Sequence, residues 1–250
     1  MINNKNTMNT MKTYISAFLM VCFMAFGAQA QIDRSQPPQP GPAPKIDLKS
    51  PQEFTLSNGM KVLVVENHKL PRVSFNLTID NKPTVDGDKA GVSSLLGAML
   101  GNGTKTIPKD EFNDEVDFLG ANISFGSSGG FASSLSKYSD RILELMADAT
   151  MNSLLVEEEF QKEKDKLLEN LKAEEKSVDA VAGRVGGALS YGTKHPYGEF
   201  TTEETVKNVT YGDVYAYYQK QFNPNKAYLV VVGDVNYKDI KKSIEKQFGS

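Results

Sequence analysis

Gly91-Val-Ser-Ser-Leu-Leu-Gly-Ala-Met-Leu-Gly-Asn-Gly-Thr104 is the stretch on which the reading of this chain turns. Its apolar residues Val92, Leu95, Leu96 and Met99 stand at i, i+3, i+4 and i+7, one face of a helix running from about Ala90 to Leu100. Ser94, Gly97 and Ala98 lie between them and offer a hydroxyl, a hydrogen and a methyl.

Upstream, Phe54-Thr-Leu-Ser-Asn-Gly-Met-Lys-Val-Leu-Val-Val-Glu66 reads as two strands joined at Asn58-Gly59, a strong hairpin signal. Arg72 to Ile79 alternates apolar and polar residues and predicts a third strand. Downstream, Pro108 and Gly120 bracket a helix, Lys109 to Leu119, with Phe112, Val116 and Leu119 on its apolar face. Strands are expected at Ala121 to Gly126 and Phe131 to Tyr138, around a glycine and serine cluster at 126–130. Helices follow at 140–151, 157–176, 181–190, 202–208 and 211–221, then a strand at Ala227 to Gly233 and a closing helix to Phe248. Hairpin strands, a block of helices and a late returning strand define an α+β fold, one mostly antiparallel, mixed sheet covered by helices on one face.

Residues 1–30 stand apart. Lys5 and Lys12 precede an apolar run, Tyr14 to Ala28, that closes on Ala28-Gln29-Ala30, the pattern of a signal peptide with cleavage before Gln31. The run is roughly fifteen residues, under the ~20 that span a bilayer, so no stable membrane anchor is expected after cleavage. The one cysteine, Cys22, lies inside this segment. An exported body from 51 to 250 would then have neither disulfides nor thiolate metal sites, and an ordinary apolar core must hold it. Between them, residues 31–50 carry Pro37, Pro38, Pro40, Pro42 and Pro44, an extended, semi-rigid spacer. A net charge of −3 with interspersed signs argues against a nucleic-acid or anionic-membrane binder.

The frame at 91–104 resembles Gly-x-x-His-x-x-Glu-His-Met-x-x-x-Gly-Thr, the active-site helix of the insulinase/pitrilysin family of inverted-zincin metallopeptidases. Phe54-Thr-Leu-Ser-Asn-Gly-Met, His195-Pro-Tyr-Gly198 and Leu229-Val-Val-Val-Gly233-Asp-Val resemble that family's opening strand, mid-domain turn and last strand, so the likeness runs from about Phe54 to Phe248. It implies one homologous half of the family's subunit. It also implies that Ser94 and Ala98 replace two zinc-binding histidines and that Gly97 replaces the general base. Matching the third-ligand helix to Phe160 to Leu171 puts Asn170 at the ligand position; a shift of one residue would put Glu169 there, and Glu163 and Glu174 lie on the same helix.

Hydrolytic zinc takes three protein ligands and a water whose pKa it lowers toward ~7. Serine, alanine and glycine cannot replace two imidazoles and a carboxylate. A relocated site would have to draw on His68 and His195, the only histidines, one beside a strand end and one in a turn. Ser93, Ser94, Ser127, Ser128, Ser133 and Ser134 are plentiful, but Ser-Ser pairs in helices and loops are commonly structural, and a nucleophilic serine needs a base within hydrogen-bond reach and an oxyanion hole, so serine hydrolysis is not expected. The charged run over 157–176 reads as a solvated helix face with pairs such as Glu158/Lys162.

The resemblance further implies peptide capture on an edge strand, at Asn122, Ile123, Ser124, Phe125 and Gly126, because backbone hydrogen bonding needs no catalytic side chain. Ser124-Phe125 departs from the family's usual Asn-Ala. Family subunits typically contain two such halves. The expectation is an exported periplasmic, secreted or envelope-associated chain that does not hydrolyse peptides by itself. It binds no zinc of its own and works as the scaffold or peptide-binding subunit of a heteromeric zinc peptidase whose metal sits in a partner half. An independent envelope peptide-binding scaffold is the alternative, and an active metallopeptidase with a relocated site is a third reading.

Overall fold

The computed structural model describes residues 50–249, with residues 11, 14–16 and 41–43 besides. It separates a unit over 1–48 from a unit over 49–250. Most of the expected export segment, its cleavage site and most of the proline-rich spacer lie outside the described residues.

Six strands form one sheet: β1 (Gln52–Thr55), β2 (Lys61–Glu66), β3 (Arg72–Ile79), β4 (Asn122–Gly126), β5 (Gly129–Leu135) and β6 (Ala227–Gly233), in the order β1-β2-β6-β3-β5-β4. Only β2 and β6 run parallel; the other neighbours are antiparallel. Eight helices accompany it among the described residues: α1 (Val92–Met99), α2 (Lys109–Phe118), α3 (Ser139–Met151), α4 (Glu157–Glu174), α5 (Val178–Tyr191), α6 (Glu203–Asn208), α7 (Tyr211–Gln221) and α8 (Tyr237–Phe248).

Period-two alternation decides which face is covered. Val73, Phe75, Leu77 and Ile79 of β3 and Ala227, Leu229 and Val231 of β6 are buried, whereas Ser74, Val230 and Val232 point the other way. Ile142, Leu145 and Met146 of α3 and Ile240, Ile244 and Phe248 of α8 join those strand residues in one apolar cluster. A second cluster lies among the helices, where Val92, Leu95, Leu96 and Met99 of α1 meet Phe160 of α4 and Val214 of α7. This is the α+β sheet with helices on one face that the sequence pattern predicts.

Differences fall at element ends. The cluster at 126–130 is a tight turn at Ser127-Ser128, and Gly129 and Gly130 belong to β5, which stops at Leu135 before a short 3-10 turn over Ser136–Tyr138. Glycine at 129 serves close approach, since a Cβ there would lie 2.0 Å from the Leu77 carbonyl oxygen. α5 begins three residues earlier than expected because the Ser177 side chain accepts from the Ala180 amide and caps it. Thr202 and Thr210 cap α6 and α7 in reciprocal capping boxes with Thr205 and Asp213.

Lys109, at the start of α2, donates to Glu159 in the first turn of α4 at 2.7 Å, and Lys162 reaches the same carboxylate at 3.0 Å. Hydrogen bonds from Lys109 first and Lys162 second pull the Glu159 carboxyl from 4.5 down to about 2. A depressed carboxylate stabilises the fold above its unfolded pKa and ceases to do so as pH falls through the folded one. The stability difference between wild type and Glu159→Gln is therefore expected in full above pH 4.5, fading toward pH 2; denaturant unfolding across that window checks it. Phe75, wholly buried at the sheet centre, is expected to cost about 3–5 kcal/mol on truncation to alanine, read from the same unfolding curves.

Candidate functional site

α1 begins at Gly91, whose φ of +112° favours glycine. A Cβ there would also lie 2.9 Å from both Thr201 Cγ2 and Val206 Cγ2. At the exit, Gly103 has φ +90° and leaves room for the Lys109 amide, 2.8 Å from where a Cβ would stand. Buried Thr104 accepts at Oγ1 from the amides of Thr106 and Ile107, at 3.1 and 2.9 Å, and so turns the chain into α2. Met99 is buried in the helix cluster. Gly91, Met99, Gly103 and Thr104 thus each have a structural part in the fold.

Ser94, Gly97 and Ala98 lie on the other side of α1. Ser94 and Ala98 are exposed and one helical turn apart, with Gly97 half-buried beside them. A Cβ on Gly97 would stand 3.3 Å from the Ser127 amide nitrogen and 3.4 Å from Gly126 Cα, so α1 crosses close to the β4–β5 turn here. Together these residues present one hydroxyl and no imidazole or carboxylate, a donor set that does not fit zinc.

α4 runs alongside α1, with Leu167 Cδ2 3.9 Å from where a Cβ on Gly91 would be. On α4, Asn170 and Glu169 are exposed, and Glu163 pairs with Lys166 at 2.7 Å. Lys164 donates to the carbonyls of Lys207 and Val209, at 2.9 and 2.7 Å, fastening α4 to the end of α6. Glu158 meets Lys162 at 3.0 Å, the i, i+4 pair expected from spacing.

The two histidines engage separate partners. His68 Nδ1 is 2.7 Å from Asp234 Oδ1, and Ser136 donates to Asp234 Oδ2 at 2.9 Å. Those two hydrogen bonds, the His68 one first, hold the Asp234 carboxyl below its ordinary value. His195 stacks on Tyr191 with ring centroids 5.3 Å apart and accepts from the Tyr197 amide at 3.2 Å. Among the described residues no three His, Cys, Asp or Glu side chains gather into a metal-binding group.

β4 is the last strand of the sheet, so one of its backbone edges has no strand partner among the described residues. Asn122, Ser124 and Gly126 are exposed along it, and Ile123 and Phe125 are half-buried beneath. Beside the edge, on the uncovered face, Asn76, Thr78, Ser124, Gly126, Gly129 and Phe131 border a shallow hollow of about 360 Å³. Phe125 has a role that sequence reading missed. Its ring lies against both Gly101 and Gly130, 2.8 and 2.6 Å from where their Cβ atoms would be, and touches both apolar clusters. Only the register pairing Phe125 with Gly130 reveals that fit.

Residues 61–187 match insulinase (peptidase family M16), and residues 208–250 match the peptidase M16 inactive domain. The chain belongs to the insulinase family of peptidases. It is 24% identical over 205 residues to an uncharacterized zinc protease, YmxG, of Bacillus subtilis, covering 80% of this chain and 50% of that one. It is 23% identical over 203 residues to cytochrome b-c1 complex subunit 1 of Bos taurus, covering 79% and 42%. A protease from Helicobacter pylori shares the fold at a TM-score of 0.75 and 24% identity, covering 82% of this chain and 51% of that one. The periplasmic protease PqqL of Escherichia coli does so at 0.67 and 18%, covering 81% and 24%. The chain thus spans about half the length of the curated relatives it matches, or less.

Ser94 and Ala98 give a direct test of the helix geometry. The double variant Ser94→His/Ala98→His is expected to place two imidazoles one turn apart and to gain zinc-dependent thermal stability that a chelator removes. At zinc 100-fold above Kd the gain is about 2.7 kcal/mol. The wild-type chain is expected to show no such shift in the same melting experiment.

Proposed function

We propose that the chain is a non-catalytic insulinase-type subunit that holds extended peptide as an added strand on β4, while the zinc that cleaves it sits in a partner half. One observation carries this reading. In 91–104 the residues that build the fold match the frame, while the positions that would carry the chemistry hold exposed Ser94 and Ala98 and half-buried Gly97. The open edge of β4 supports the binding role, since strand addition draws on backbone groups. The relatives, about twice as long, are consistent with a second half beside this one. Export to the periplasm or envelope is part of the proposal; it draws on the sequence of residues 1–30 and on the periplasmic PqqL among the structural neighbours.

An envelope peptide-binding scaffold without a peptidase partner would share the open edge. A neighbouring reading frame with an intact His-x-x-Glu-His favours the subunit reading, and its absence favours the scaffold. Elemental mass spectrometry of the purified chain after zinc back-titration and exchange into metal-free buffer is expected to show no stoichiometric zinc. Stoichiometric zinc together with chelator-sensitive proteolysis would overturn the proposal and revive a relocated site. Peptide capture has its own check: a reduced, unfolded casein probe should slow amide exchange at 122–126, and protection elsewhere or nowhere would remove β4 from the account.

A further inference from the structure

The uncovered side of the sheet is free of charge across β3, β5 and β4. Strand register sets their outward residues in rows that cross the sheet. One row is Ser74, Ser133 and Asn122, and the next is Asn76, Phe131 and Ser124. The third is Thr78, Gly129 and Gly126. Charged residues make up 24% of the chain, yet these nine positions hold four hydroxyls, two amides, one phenyl ring and two glycines. The same face carries charge toward the opposite edge, where Glu53 and Lys61 point outward. Edge strands are ordinarily guarded by charged side chains, lysine above all. β4 has none.

Much of the array's hydrogen-bonding capacity is unused. Ser74 donates to the Val232 carbonyl at 3.2 Å, and Thr78 donates to Asn76 Oδ1 at 3.5 Å. Among the described residues the side chains of Asn122, Ser124 and Ser133, and the amide nitrogen of Asn76, have no hydrogen-bond partner. Phe131, 39% exposed, stands in the middle row beside the hollow of about 360 Å³, to whose wall Gly126 and Gly129 add no side chain.

We propose that this array binds a neutral oligosaccharide. Hydroxyl and amide side chains both donate and accept, whereas a carboxylate only accepts and an ammonium only donates. Sugar hydroxyls also do both, so array and ligand match group for group. The Phe131 ring receives the apolar C–H face of a sugar ring. Acidic glycans and nucleic acid would need the lysine and arginine that these rows lack. An apolar protein surface would cover the free hydroxyls and amides without satisfying them, at a cost in affinity. The hollow falls within the ~300–1,000 Å³ range of small-ligand sites. This ligand uses side chains on the sheet face, while an added peptide strand uses the backbone edge of β4, so the two readings are independent.

The test titrates the isotope-labelled chain with neutral hexasaccharides of glucose, mannose, xylose and N-acetylglucosamine, read by amide chemical shifts, with oligogalacturonate as the acidic control. At least one neutral sugar is expected to shift amides around Asn76, Thr78 and Phe131, and the acidic one to shift none. Phe131→Ala and Asn76→Lys are each expected to weaken that binding about 10-fold or more at an unchanged unfolding midpoint. If Phe131→Ala lowers the midpoint, Asn76→Lys, at an exposed position, decides. No shift with any neutral sugar at about 10 mM, shifts confined to other surfaces, or binding indifferent to Asn76→Lys would overturn the inference. Equal binding of the acidic control would do the same. If only the casein probe moves these amides, the face belongs to peptide; if they move with protein concentration alone, it belongs to a second copy. Either result overturns the inference. The proposed function is judged by exchange at 122–126 and by zinc content, and a failure here leaves it standing.

Discussion

Burial of Val92, Leu95, Leu96 and Met99 against the flanking helices is the contact on which the remainder of the structure depends. At roughly 1.5–3 kcal/mol for each buried aliphatic side chain, four of them weigh as much as the ~5–15 kcal/mol net stability of an ordinary domain. The same helix has a side that contributes little to that sum, where Ser94 and Ala98 face solvent. Exposed substitutions away from caps and cores usually change stability by less than ~0.5 kcal/mol. A helix so divided can exchange its chemistry and keep its packing, and the composition of 91–104 follows that division.

Covering only one face of the sheet leaves several surfaces unused. Among the described residues β4 ends the sheet with an unpaired strand edge, and the hollow near Phe131 opens on the uncovered face. α5 presents apolar residues outward for a different reason: its body-facing side must be thin enough to meet the 197–198 turn, where a Cβ on Gly198 would lie 2.2 Å from the Gly192 carbonyl oxygen. On α5 itself it is Gly187 that meets this turn, 3.1 Å from the Tyr197 carbonyl oxygen to where a Cβ would stand.

Sequence pattern carried much of this. Strand alternation in Arg72 to Ile79 and the i, i+3, i+4, i+7 spacing in α1 each name a buried face without reference to anything distant, and both faces are buried in the structure. Long-range pairings were not legible. Nothing in the sequence places β6 between β2 and β3, or sets Phe125 across from Gly130. Val178, Val181, Val185 and Leu189 of α5, all exposed, show the same limit differently. Their spacing predicts a helix with one apolar side, but periodicity does not say whether that side looks inward. The histidines were read as a surface and a turn residue; their partners, Asp234 and Tyr191, come from other elements and could not be assigned from position alone.

Gly97 is where α1 meets the sheet edge most closely. Were a side chain present there, its Cβ would stand 3.3 Å from the Ser127 amide nitrogen, closer than such atoms ordinarily approach, and in contact with Gly126 at 3.4 Å. Those neighbours are main chain at a tight turn of the sheet edge and cannot rotate aside as a long side chain would. A carboxylate at 97 would thus require the β4–β5 turn to withdraw by a few tenths of an ångström. Phe125, seated on Gly101 and Gly130 next to that turn, ties the turn's position to both apolar clusters. The small residue at 97 and the close seat of the edge strand on α1 therefore go together, and a larger side chain there would act on the sheet edge as well as on the helix.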